Sequence, residues 1–95
     1  MEGQASISAD ILARYAADAA IEVEGVRALA GRRGVKVEGE NGSIRVELHL
    51  EVEWGSVIPD VGRSVQARVG EYLAQMADLE PAEVEVIVDQ IGPPA

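Results

Sequence analysis

Between Ser8 and Glu24 the apolar residues Ile11, Leu12, Tyr15, Ala16, Ala19, Ala20 and Val23 recur at helical intervals, which gathers them on one face of an α-helix. Both ends carry signals. Ser8 is placed to cap the first turn, Ile7 to pack on Leu12, and Gly25 to stop the helix. A short strand over Ala5 to Ser8 is a further expectation. From Val35 the period changes to two, with Val35 and Val37 alternating with Lys36 and Glu38. Asn41-Gly42 then predicts a two-residue hairpin turn, because both residues tolerate the positive φ of a type I′ turn. The returning strand puts Ile44, Val46, Leu48, Leu50, Val52 and Trp54 on one face and Arg45, Glu47, His49, Glu51 and Glu53 on the other. The first face is predicted to meet the core and the second to meet solvent.

Gly55 is expected to end that strand and Pro59 to open a second helix, since its fixed φ suits a first turn. Val61, Val65, Val69, Tyr72, Leu73 and Met76 form the apolar stripe of this helix, with Arg63, Gln66, Arg68 and Glu71 outward. It closes before Pro81. A last strand from about Ala82 to Gln90 turns Val84, Val86 and Val88 toward the core. The order is αββαβ, to which the short N-terminal strand would add one element. The fold class is α+β: a two-layer sandwich with both helices on one face of a small, mainly antiparallel sheet. Its 95 residues make a single domain, 1–95, with a core over about 5–91 and a short flexible tail at 92–95.

Composition sharpens this picture. The chain is 47% hydrophobic but has no Phe, and its aromatics are Tyr15, Trp54 and Tyr72. The core is therefore aliphatic and thin, and burial against a partner would add what few rings can supply. Seventeen acidic residues against eight basic ones give a net charge of −9, spread along the chain. Nucleic acid and anionic lipid are poor partners for such a surface, and the only adjacent basic pair is Arg32-Arg33. The absence of cysteine excludes disulfides, thiolate metal sites and cysteine nucleophiles. No basic-then-apolar leader opens the sequence, and no run approaches the ~18 apolar residues of a membrane span. A cytoplasmic chain without direct membrane insertion is expected.

His49 is the single histidine and shares its outward face with Glu47, Glu51 and Glu53. A histidine among carboxylates can bind a divalent cation or move a proton. Side chains along one strand point in parallel, however, whereas a metal site needs three or four converging ligands, so no metal, cofactor or catalytic residue is expected. Gly31-Arg32-Arg33-Gly34 has the GXXG spacing with which KH domains clamp a nucleic-acid backbone. In those domains the loop joins two helices, whereas this one leads into the strand at Val35. Two alternatives follow from these residues: a KH-like RNA-binding module using Arg32 and Arg33, and a divalent-metal enzyme using His49 and its Glu neighbours. Trp54 at a strand end is either an interface anchor or, as its parity favours, part of the core. Ile87 falls among outward Glu83, Glu85 and Asp89, an apolar residue on an acidic face. Ile87, Glu85 and Trp54 are the candidate protein-contact residues.

Taken in order, Gly3, Ile7-Ser8, Ile11, Ala16, Ala19 and Glu22-Val23-Glu24-Gly25-Val26, then Gly34-Val35-Lys36-Val37, resemble the opening of the alkaline shock protein family. Val52-Glu53-Trp54-Gly55, Ile58-Pro59, Val61, Val65-Gln66 and Val69, followed by Met76, Leu79, Val84, Val86 and Val88, extend the resemblance over nearly the whole chain. Trp54 stands where a tyrosine is expected, Tyr15 where an aliphatic is usual, and Gly62 where alanine is commoner. The resemblance implies a non-enzymatic bacterial protein of envelope stress and general stress responses. It implies self-association and protein partners, which in some members include one anchored at the inner membrane face. No catalytic residues come with it.

Overall fold

A computed structural model describes residues 7–30, 34–40 and 43–93. The elements are α1 (Ala9–Ile21), β1 (Val26–Leu29), β2 (Val35–Glu40), β3 (Ser43–Val52), α2 (Ile58–Ala77) and β4 (Glu83–Ile91). The Ser8 side chain accepts a hydrogen bond from the Ile11 amide at 3.2 Å and so caps α1. At α2 the proline lies in the first turn, where a missing N–H costs nothing, and Asp78 in the left-handed region closes the helix.

β3 is paired along both edges. Its inner length, Arg45 to Val52, runs parallel to β4, with α2 as the crossover that parallel strands require. On the other edge β2 pairs antiparallel from Glu40↔Ser43 to Val35↔Leu48, and β1 continues the same edge from Leu29↔Leu50 to Val26↔Val52. Between them, the Ala30 amide donates to the His49 carbonyl at 2.8 Å and the His49 amide donates to the Gly34 carbonyl at 2.6 Å. β1 and β2 thus share one edge of β3 and meet opposite His49.

Each edge carries a bulge at the C-terminal end of β3. Val26 and Ala28 oppose the consecutive residues Val52 and Glu51, so Arg27 is the extra residue on β1. Val88 and Gln90 oppose Leu50 and Glu51, so Asp89 is the extra residue on β4. A bulge re-aims its side chain and bends the strand locally. Both extra residues serve surface sites described below.

The inward side chains of β3, Val46, Leu48, Leu50 and Val52, are buried with Leu12, Ala16, Ala19 and Ala20 of α1 and Val61, Val65, Val69 and Leu73 of α2. Three alanines on α1 allow its backbone to sit close to the sheet. Where the helices meet, Tyr15 and Tyr72 make an edge-to-face pair with ring centroids 5.9 Å apart, a favoured quadrupole geometry. Arg68 of α2 also donates to Glu22 at the end of α1 at 3.0 Å.

The architecture is the expected α+β sandwich, with several corrections. The order is αβββαβ, because β1 escapes the periodicity: its bulge spaces the inward residues Val26 and Leu29 by three rather than two. α1 stops at Ile21 rather than at Gly25, and Ile11 and Met76, assigned to apolar stripes, are exposed. β3 ends at Val52, so Trp54 lies in the following turn and is exposed instead of packing in the core. Of the expected N-terminal strand, residues 5 and 6 lie outside the described residues, and Ser8 serves as a cap. The turn at Asn41-Gly42 and the residues Arg32 and Arg33 also lie outside them. Gly92 is buried and its amide donates to the Val52 carbonyl at 2.7 Å, so the ordered chain reaches beyond Ile91.

Gly62 and Gly70 both lie within α2, and a Cβ added at either would meet nothing within 4 Å. Glycine inside a helix costs about 1 kcal/mol relative to alanine. Gly62→Ala and Gly70→Ala are each expected to stabilise the fold by up to about that amount, a rise of roughly 4–8 °C in Tm for a domain of this size. Thermal and urea denaturation would check it, and a fall in either midpoint would show that the turn is not the regular helix seen here.

Candidate functional site

The sheet face turned away from the helices carries no covering layer among the described residues. Strand pairing assembles it in rows: Lys36 beside Glu47, Glu38 beside Arg45, Arg45 beside Glu83, Glu47 beside Glu85, and His49 beside Ile87. Ile87 therefore points outward, as its parity predicts, and is half-buried by its neighbours. Glu85 is exposed one row away. The charges are interleaved rather than segregated, with a Lys36–Glu38 ion pair at 3.3 Å.

His49 occupies the middle of this face with both ring nitrogens engaged. Nε2 lies 2.9 Å from Glu47 Oε2, and Nδ1 lies 3.0 Å from Asp89 Oδ2. The Asp89 contact exists because the β4 bulge brings that carboxylate over the ring. Two carboxylates accepting from one imidazole favour the doubly protonated cation, so the His49 pKa is raised, first by Glu47 and then by Asp89. The same hydrogen bond from His49 is the main cause of a lowered pKa at Glu47. An imidazolium held on both sides has no free lone pair for a metal or a substrate proton. Among the described residues no group of three His, Asp or Glu side chains converges to hold a metal ion.

The second surface forms where the chain leaves β3. The Glu53 amide donates to the Gly25 carbonyl at 2.9 Å, and the Ser56 amide donates to the Glu53 carbonyl at 3.1 Å. A turn through Gly55, at φ +87°, then swings Trp54 out of the sheet. Gly25 makes this junction possible: its φ is +96°, and a Cβ there would stand 2.8 Å from Val61 Cγ2 and 3.2 Å from Ser56 Oγ. Loop and helix start are thereby pressed together around a hollow of about 480 Å³, lined among others by Glu24, Glu53, Trp54, Val57 and Asp60. Trp54 is 61% exposed and Val57 59% exposed. Asp60 is engaged by Arg63, whereas Glu24 and Glu53 have no ion-pair partner among the described residues. Trp54 and Glu53 also line a neighbouring hollow with Arg27, the bulged residue of β1, and Pro93.

The candidate contact residues thus fall on two separate surfaces: Ile87 and Glu85 on the open sheet face, Trp54 at the end of β3. Glu24, Val57 and Asp60 are not marked out by the sequence, since nothing in a one-dimensional pattern brings the loop after α1 against the start of α2.

A family model for the alkaline shock proteins, described as having a "cell envelope-related function", matches residues 1–93. The chain belongs to that family. It is 26% identical to the "Uncharacterized protein YloU" of Bacillus subtilis (strain 168), over 94% of this chain and 88% of that one. Among solved structures, a doubly substituted MamM CTD superimposes with a TM-score of 0.69 at 15% identity, covering 85% of this chain and 81% of the other. The manganese form of another MamM CTD variant gives 0.64 at 17% identity, covering 85% and 96%. At such identities these likenesses show a shared fold. No described helix of this family member is long and apolar enough to cross a membrane.

The His49 arrangement sets a pH dependence. Because the folded pKa is raised above the ordinary 6.5, its stabilisation is complete below the unfolded value and is lost as pH rises through the folded value. The lowered Glu47 pKa adds stability above its ordinary 4.5, lost as pH falls through the folded value. Stability should therefore decline on the alkaline side of neutrality, and His49→Gln should flatten that limb. An NMR titration of the imidazole in parallel with urea midpoints would check it; an His49 pKa at or below 6.5 contradicts the geometry.

Proposed function

We propose that this member of the alkaline shock protein family is a non-enzymatic interaction domain, a scaffold that holds envelope or stress proteins and weakly associates with itself. The family's cell envelope-related function gives the setting. The observation that carries the molecular role is the exposure of large apolar side chains, Trp54, Val57, Ile58 and Ile91, on an otherwise highly charged surface. Ile87 on the open sheet face adds a second apolar contact, framed by Glu85 and by the Asp89–His49–Glu47 row. In this reading the protein acts in the cytoplasm and reaches the inner membrane face through an anchored partner, not by inserting itself. Phosphate backbones are not its partners, since the net charge of −9 opposes them.

Self-association should be weak and should strengthen with salt, because screening shrinks the Debye length from about 10 Å at 0.1 M to about 3 Å at 1 M while apolar contact persists. Ile87→Lys should weaken it at every salt concentration with little change in Tm. Light scattering coupled to size exclusion would measure this, and a strict monomer throughout defeats the self-association. Affinity capture from the native host should recover envelope proteins; turnover of a substrate by the purified chain, abolished by His49→Gln, would overturn the non-enzymatic role.

A further inference from the structure

We infer that the hollow beside Trp54 receives a lysine or arginine side chain from an apolar-flanked segment of a partner protein. This rests on the interaction-domain reading and gives it a site and a ligand chemistry. The floor and walls are fixed by backbone: the Glu53–Gly25 hydrogen bond, the turn at Gly55 and the close approach of Gly25 to Val61 and Ser56. A hollow held this way needs little ordering on binding, so less of the interaction energy is lost.

Its chemistry selects a cation. The face of an exposed indole attracts ammonium and guanidinium groups through its quadrupole. Glu24 and Glu53, which have no ion-pair partner among the described residues, add full negative charge on the same lining, and Asp60 contributes what its Arg63 pair leaves. Arg27 lies on the neighbouring hollow, against Gly92, and lines no part of this one. At about 480 Å³ the space exceeds one long side chain, and Val57 supplies an apolar wall for the residues beside the cation. A second copy of this chain is a poor occupant, since its own charge of −9 would have to approach the same acidic end.

Trp54 is the single tryptophan of the chain, so its indole signal reports this site alone. The probe is the acetylated, amidated peptide Gly-Leu-Arg-Leu-Gly, with its lysine and citrulline counterparts, titrated into isotopically labelled protein at low and high salt. The Arg and Lys peptides should shift the Trp54 indole N–H and the Gly25 and Gly55 amides saturably. Citrulline, which keeps the shape and loses the charge, should bind about ten-fold more weakly, as should both cationic peptides at high salt. Trp54→Ala and the double variant Glu24→Gln with Glu53→Gln should each remove most of the binding. Glu85→Gln with Asp89→Asn deletes the same charge from the sheet face and should change affinity less than about two-fold. Shifts confined to the sheet face, equal binding of citrulline, or equal losses in the two double variants would each overturn the site. Envelope proteins still captured by Trp54→Ala would overturn the site while leaving the interaction-domain reading intact.

Discussion

Everything in this fold depends on β3 being paired on both edges while one of its faces is fully buried. Ten residues, Ser43–Val52, take partners from β1 and β2 on one side and β4 on the other. Because side chains alternate, burying Val46, Leu48, Leu50 and Val52 fixes Arg45, Glu47, His49 and Glu51 on the opposite face. A slip of one register would put four charged or ionisable groups into an aliphatic core that contains no buried polar partner. The open face is thus specified by the core beneath it.

The same strand determines where regularity stops. At its C-terminal end both edges bulge, and at Glu53 the backbone turns to Gly25 instead of continuing the ladder. One bulge places Asp89 on His49, and the other sends Arg27 to the side of Trp54 away from Glu24. These departures are what give the small domain distinct surface chemistry, since the regular part of the sheet offers only a row of alternating charges. The alanine-rich face of α1 contributes by allowing the helix layer to sit close, which brings the loop after α1 onto the first turn of α2.

Much of this is legible in the sequence, and the misses have a common cause. Strict alternation from Ile44 to Val52, and the stripe Val61, Val65, Val69 and Leu73, are readable because each period persists over several repeats. β1 is invisible because its bulge makes Val26 and Leu29 face inward three residues apart, a spacing that mimics neither a clean strand nor a helix of useful length. Trp54 goes astray because its parity holds only while the backbone stays extended, and that ends two residues earlier. Ile87 is placed correctly by the same rule, since β4 bulges only after it. The hollow beside Trp54 is beyond reach: Glu24, Glu53 and Asp60 come from three segments joined by a hydrogen bond and a steric fit at glycine.

The two surfaces differ in what they leave unsatisfied, and this ranks them as docking sites. On the sheet face the carboxylates alternate with Lys36, Arg45 and a protonated His49, so a charged partner must first compete with pairs already made within the protein. Such pairs on an exposed face contribute little stability but do lower the field a partner meets. At the end of β3, Glu24 and Glu53 stand beside an indole without an ion-pair partner among the described residues, and apolar Val57 is exposed within the same hollow. There a cationic partner gains charge, quadrupole and apolar contact together, and no internal pair has to be broken. An acidic protein whose overall charge repels its own copies gains selectivity from that arrangement, since long-range repulsion rejects acidic surfaces while the Trp54 end offers a basic segment a preformed place to bind.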